Sequence, residues 1–162
     1  MAVPASSRNH GFTLIELVVT LAIIGLLSSA VLPLASMAIQ RQKESELRSA
    51  LREIRGALDA YKDAAKQGRV KTEADSSGYP PNLQVLFEGV EDARSLDKTK
   101  IYFLRRVPRD PFFPDAGSAA TDTWGLRSYA SPPEDPQPGA DVFDVYSLAR
   151  GKGINGISYH DW

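Results

Sequence analysis

Few residues in this chain can do chemistry. Glu16 is a lone carboxylate at the head of an apolar run; from position 17 to position 35 nothing is charged. A carboxylate beside hydrocarbon is costly unless it is paired, which makes it a functional candidate by default. A glutamate snorkelling to an interface is the plainer reading. A Gly11-Phe12 junction precedes it. Glu134 with Asp135, or Asp141 with Asp144, can be read as acid/base pairs, but no nucleophile or histidine adjoins them, and acids in Pro-rich loops are ordinarily solvated. Gly151-x-Gly153-x-x-Gly156 has the spacing of a dinucleotide fingerprint, yet no helix or second strand lies behind it to present a phosphate. Arg105, Arg106 and Arg109 form a cation cluster suited to an acidic partner, or simply to a solvated strand edge. No enzyme is expected.

Composition narrows the classes further. With 162 residues there is room for one anchor and one modest domain. Cysteine is absent, which removes disulfides, thiol catalysis and Cys-based zinc sites, while leaving the compartment open. The two histidines, His10 and His160, are too few for a triad or a His-rich metal centre. A net charge of -1 supplies no basic field for nucleic acid.

The elements that must position these residues follow from periodicity. The uncharged run spans roughly 19 residues, about 28 Å of helix at ~1.5 Å per residue, enough to cross a hydrocarbon core. Pro33 removes one helix hydrogen bond; with Gly25, Ser28 and Ser29 nearby, it marks a place where the span can soften. Beyond it, Leu47, Leu51, Ile54, Leu58, Tyr61 and Ala65 recur at alternating spacings of four and three, one apolar stripe on a charged helix. Too few heptads are present for a coiled-coil seam. Glu44 and Arg48 read as an i,i+4 pair, and Gly68 as the C-cap. One helix over about 12–67 results, apolar all round below and one-sided above.

Residues 69–81 read as a linker. Asn82 can cap a short helix carrying Leu83, Leu86 and Phe87 and ended by Gly89. Residues 91–100 are polar and read as a loop, and the two X-Pro steps at Pro108 and Pro111 force extended backbone. Strand patterns occupy 124–130 and 142–146, with a third at 157–159, separated by a Gly/Ser/Ala-rich stretch (112–123) and a Pro-rich loop (131–140). The expected class is α+β: a long N-terminal helix packed on a small antiparallel sheet of about three strands.

Arg8-Asn9-His10-Gly11-Phe12-Thr13-Leu14-Ile15-Glu16-Leu17, followed by an apolar helix with Pro33, resembles the class III leader of type IV pilins and type II secretion pseudopilins. Gly78-Tyr79-Pro80, Leu83 with Leu86, the run from Phe103 through Arg105-Arg106-Val107-Pro108-Arg109-Asp110-Pro111, Asp144-Val145-Tyr146-Ser147-Leu148 and Trp162 narrow the resemblance to the major, G-type pseudopilins. Residues 112–123 depart from it, standing where that family usually turns tightly.

The resemblance implies cleavage by a prepilin peptidase after Gly11 and N-methylation of Phe12. A glycine there lets a protease hold the backbone closely. The new amine at Phe12 would lie about one helical turn from Glu16, and in a filament it can pair with Glu16 of a neighbouring subunit, neutralising both charges and fixing the axial stagger. The implied organisation is a leader (1–11), a transmembrane and filament-core helix (12–40) and a periplasmic α+β domain (41–162) on a single-pass inner-membrane protein. A simple Lys/Arg count, with Arg8 before the span and Arg41, Lys43 and Arg48 after it, favours the opposite orientation, but long domains translocate largely regardless of charge.

Implied partners are further copies in a helical homo-oligomer, minor pseudopilins, the peptidase/methyltransferase, and an inner-membrane platform with its secretion ATPase; nucleic acid is not among them. The implied function is a structural subunit of a filament that drives protein export. One alternative is a type IV pilin for adhesion, motility or DNA uptake. Another is a secreted or anchored binding domain behind an ordinary signal, with its h-region at 17–27 and a cleavage site at Ser36-Met37-Ala38. The resemblance also implies a calcium site in the loop after Leu148. That loop, 149–156, contains no acid and two cations, Arg150 and Lys152. Asp141, Asp144 and Asp161 lie outside it and are only weak calcium candidates. The expectation is no cofactor and a loop closed by turns at Gly153 and Gly156.

Overall fold

The structure, a computed structural model, describes residues 11–73 and 75–162, and the backbone alone at 30–33. Arg8 and His10 lie outside the described residues, as do the surroundings of the Pro33 side chain. In chain order the elements are helix α1 (Leu14–Lys66), helix α2 (Gln84–Glu88), strands β1 (Val90–Glu91) and β2 (Lys100–Ile101), a 3-10 turn (Ala120–Thr123), strands β3 (Trp124–Arg127) and β4 (Asp144–Ser147), and a second 3-10 turn (Tyr159–Asp161). The chain divides into two compact units, Met1–Gln40 and Arg41–Trp162.

In the first unit α1 is long and apolar enough to cross a membrane by length and composition. Its described side chains over 11–29 and 34–39 are all exposed. Two of the polar ones are satisfied within the helix. The Thr20 hydroxyl donates to the Leu17 carbonyl at 2.9 Å and the Ser29 hydroxyl to that of Leu26 at 2.7 Å, so neither needs water in an apolar medium.

In the second unit the periodic stripe is the core. Leu47, Leu51, Ile54, Leu58 and Tyr61 are buried, with Ala50, Ala57 and Ala64 beside them and Ala65 at the edge. Each fully buried leucine or isoleucine contributes about 1.5–3 kcal/mol. Across the stripe lie Leu83 and Leu86, Leu104 and Val107, Trp124, Val142 and Val145. The helix ends as expected at Gly68, whose φ of 68° is left-handed. The Gly68 amide donates to Ala65 and the Arg69 amide to Ala64, each at 2.9 Å, which makes a Schellman motif. Asn82 Oδ1 accepts from the Val85 amide at 3.1 Å and so caps α2, which stops at Gly89.

Sheet content differs from expectation in two places. The third strand does not form. After Gly153 the chain turns so tightly that only one bridge, Lys152 to Ser158, is made before the 3-10 turn begins; the Gly156 amide donates to Gly153 and the Gly153 amide to Ile157, both at 2.8 Å. The polar loop over 91–100, by contrast, closes a short antiparallel pair, with Val90 opposite Ile101 and Glu91 opposite Lys100. Arg69 anchors this hairpin by ion-pairing with Asp92 at 2.7 Å. The main pair, β3 with β4, is antiparallel and sets Gly125 opposite Tyr146 and Arg127 opposite Asp144. The α+β class stands, with two two-stranded sheets on the helix.

Candidate functional site

The head of α1 begins at a capping box that the Thr13-x-x-Glu16 pattern encodes but that the periodicity argument passed over. The Thr13 hydroxyl accepts from the Glu16 amide at 3.3 Å, and the Glu16 carboxylate accepts from the Thr13 amide at 3.5 Å. Glu16 is therefore the third residue of the helix, where a carboxylate also complements the positive end of the helix dipole. Gly11 and Phe12 precede the helix outside any regular element and are exposed, Phe12 with 84% of its surface accessible. Gly25 lies in mid-helix with nothing within 4 Å of the position of an added Cβ. Packing within the chain thus does not call for a glycine there, although it weakens a helix by about 0.5–1 kcal/mol relative to alanine.

The other candidates are dispersed. Asp144 is held between Arg55, at 2.8 Å, and Arg127, at 3.2 Å. Arg55 also donates to the backbone oxygens of Val145 and Trp162, so this pair ties α1 to β4 and to the last residue. Asp141 accepts from the Ser128 hydroxyl and the Tyr129 amide, each at 2.8 Å. Partial burial pushes its carboxyl up, but hydrogen bonds from Ser77, Tyr129 and Ser128 and the nearby Lys62 ammonium outweigh that and leave it below its ordinary value. Asp161 is exposed and lies 3.0 Å from His160. Among the described residues no group of three or more His, Asp or Glu side chains converges to hold a metal ion. The arginine cluster is split. Arg105 and Arg106 face solvent, whereas Arg109 folds over its own loop to the carbonyls of Asp115 and Ser118.

Two buried acids carry roles that the sequence reading did not give them. Asp110 is 1% exposed, accepts from the Ser147 hydroxyl at 2.5 Å and from the Phe112 amide at 2.8 Å, and so pins the start of the 112–123 stretch to β4. The spacing reads Glu44 as the i,i+4 partner of Arg48. It is buried, accepting from the Ile154 amide at 2.8 Å and the Tyr159 hydroxyl at 3.1 Å, while the Arg48 guanidinium lies over the Trp162 ring. The signal was available: Glu44 is three residues before Leu47 and continues the buried stripe.

Residues 6–32 match the prokaryotic N-terminal methylation motif, a span that includes Gly11, Phe12 and Glu16. Over 112 residues, 67% of this chain and 72% of the relative, the sequence is 31% identical to the type II secretion system core protein G of Klebsiella pneumoniae. The chain belongs to the type II secretion core protein G family. Its similarity to the core protein G of Klebsiella michiganensis is 27% identity over 82% of this chain and 89% of that one, and to that of Escherichia coli K12 29% over 67% and 70%. No solved structure matches the chain significantly. The members of this family are pseudopilins, structural proteins of the secretion system. The exposed apolar helix and the methylation motif are features of a pilin-like subunit anchored in the inner membrane.

Proposed function

We propose that the chain is a structural subunit of a type II secretion pseudopilus, with no catalytic role of its own. The observation that carries this reading is the head of α1, where one carboxylate, Glu16, opens a helix whose described side chains over 14–29 are predominantly apolar and all exposed. An exposed apolar surface of that extent calls for lipid, other copies of itself, or both in turn. A prepilin peptidase cuts after Gly11 and the new terminus at Phe12 is methylated. The leader stays on the cytoplasmic side and the second unit stands in the periplasm.

On assembly the amine of Phe12 meets Glu16 of an adjoining subunit, which removes both charges from the apolar core and sets the stagger between copies. Gly25 and Pro33 let the helix yield as it leaves the bilayer. The filament grows on an inner-membrane platform driven by the secretion ATPase, carries minor pseudopilins, and pushes folded cargo outward. The test is mass spectrometry of the purified protein together with an export assay in a strain lacking the gene. Expected are a mature chain beginning at methylated Phe12 and export restored by the gene. A mature chain that begins near Ile39, or export unaffected by deletion, overturns the reading.

A further inference from the structure

The resemblance places a calcium ion in the loop that follows β4, and the residues present there do not fit one. Calcium takes six to eight oxygen ligands, with carboxylates supplying the charge. Residues 149–156 offer no carboxylate and two cations. Within the loop, Gly151 accepts from the Tyr159 amide at 3.1 Å and Gly153 from the Gly156 amide at 2.8 Å, so its carbonyls are used to close the chain on itself. The side-chain oxygen of Asn155 accepts from the Ile157 amide at 3.1 Å. Asp141, Asp144 and Asp161 are engaged elsewhere, as described above.

The loop is instead arranged to receive an anion. Glu44 reaches it from α1 with 5% of its surface exposed, and one oxygen, Oε1, accepts from both the Ile154 amide and the Tyr159 hydroxyl. An amide that points inward repels a cation and binds a carboxylate. Tyr159 is fixed in turn by its ring, stacked on Phe112 at 4.2 Å and edge-on to Trp162 at 5.1 Å. Gly153 is needed because an added Cβ would fall 2.3 Å from the Trp162 ring.

We propose that Glu44 takes over, from within the chain, the organising role that the family's calcium ion would have, so that residues 149–162 are ordered without metal and depend on this carboxylate. The proposal stands apart from filament assembly and is tested on the detergent-solubilised full chain. Thermal unfolding and hydrogen exchange at Ile154 are followed in excess calcium chloride and in excess EGTA, for the wild type, Glu44→Gln and Tyr159→Phe.

Expected is a wild-type melting temperature and Ile154 exchange rate that calcium leaves unchanged. Ile154 exchange should be several-fold to about tenfold faster in Glu44→Gln, where a neutral acceptor replaces a charged one, and faster by a smaller factor in Tyr159→Phe. A calcium-dependent rise in melting temperature, or calcium-dependent slowing of Ile154 exchange, in the wild type overturns the proposal. If Glu44→Gln does not fold, the wild-type titration and Tyr159→Phe decide it; unchanged Ile154 exchange in Tyr159→Phe counts against the role given to Glu44.

Discussion

The Glu16 carboxylate accepts from the Thr13 amide while the Thr13 hydroxyl accepts from the Glu16 amide, so one residue both caps α1 and carries the charge to which the proposed function gives a part in assembly. The two duties can be separated by substitution. Glutamine at the third helical position also completes a capping box. Glu16→Gln should therefore keep the helix start and remove only the charge, and export by the complemented strain should fall to the level of the deletion. Thr13→Ala should cost the helix start about 1 kcal/mol yet preserve the charge, and export should survive. If the two variants exported equally well, the charge would have no part in assembly.

Among the elements, the β3–β4 pair and the end of α1 each rest on a glycine, for different reasons. Gly125 faces Tyr146 across the pair, and a Cβ there would lie 2.2 Å from the Tyr146 ring. Gly68 has open space around it but a φ of +68°. Gly125→Ala should cost about 1–3 kcal/mol through overpacking and displace the Tyr146 ring. Gly68→Ala should cost about 1–2 kcal/mol through backbone strain alone and leave ring packing unchanged. Denaturant unfolding with near-ultraviolet circular dichroism reads both, and equal loss of aromatic signal in the two variants would contradict the distinction. The stripe from Leu47 to Tyr61 was legible because a helix repeats its faces. The hairpin over 91–100 was not, because its pairing depends on the ion pair of Asp92 with Arg69, distant in sequence.

For the whole molecule, assembly must use what the second unit leaves exposed. Arg105 and Arg106 are exposed and can meet acidic residues of another copy, among which Glu46 and Glu53 are exposed, whereas Glu44 is buried. Arg109 is committed to the carbonyls of Asp115 and Ser118. Arg106→Glu should weaken filaments recovered by shearing while leaving the melting temperature of the subunit unchanged. Arg109→Ala should do the reverse, lowering subunit stability by roughly 1–3 kcal/mol for two lost charge-assisted hydrogen bonds. Filaments of normal stability from Arg106→Glu would remove this surface from the assembly contacts.

The amino-acid order alone determined the apolar span, the Gly11-Phe12-Glu16 head, the amphipathic stripe and the glycine that ends the helix, because each is a local pattern whose physics acts within a few residues. Only the tertiary structure decided which acids face inward, that residues 157–159 make a single bridge, and that Arg109 serves its own loop. Those outcomes depend on partners such as Glu44 with Ile154, or Asp110 with Ser147, which lie 110 and 37 residues apart along the chain. No periodicity connects positions that only folding brings within hydrogen-bonding distance.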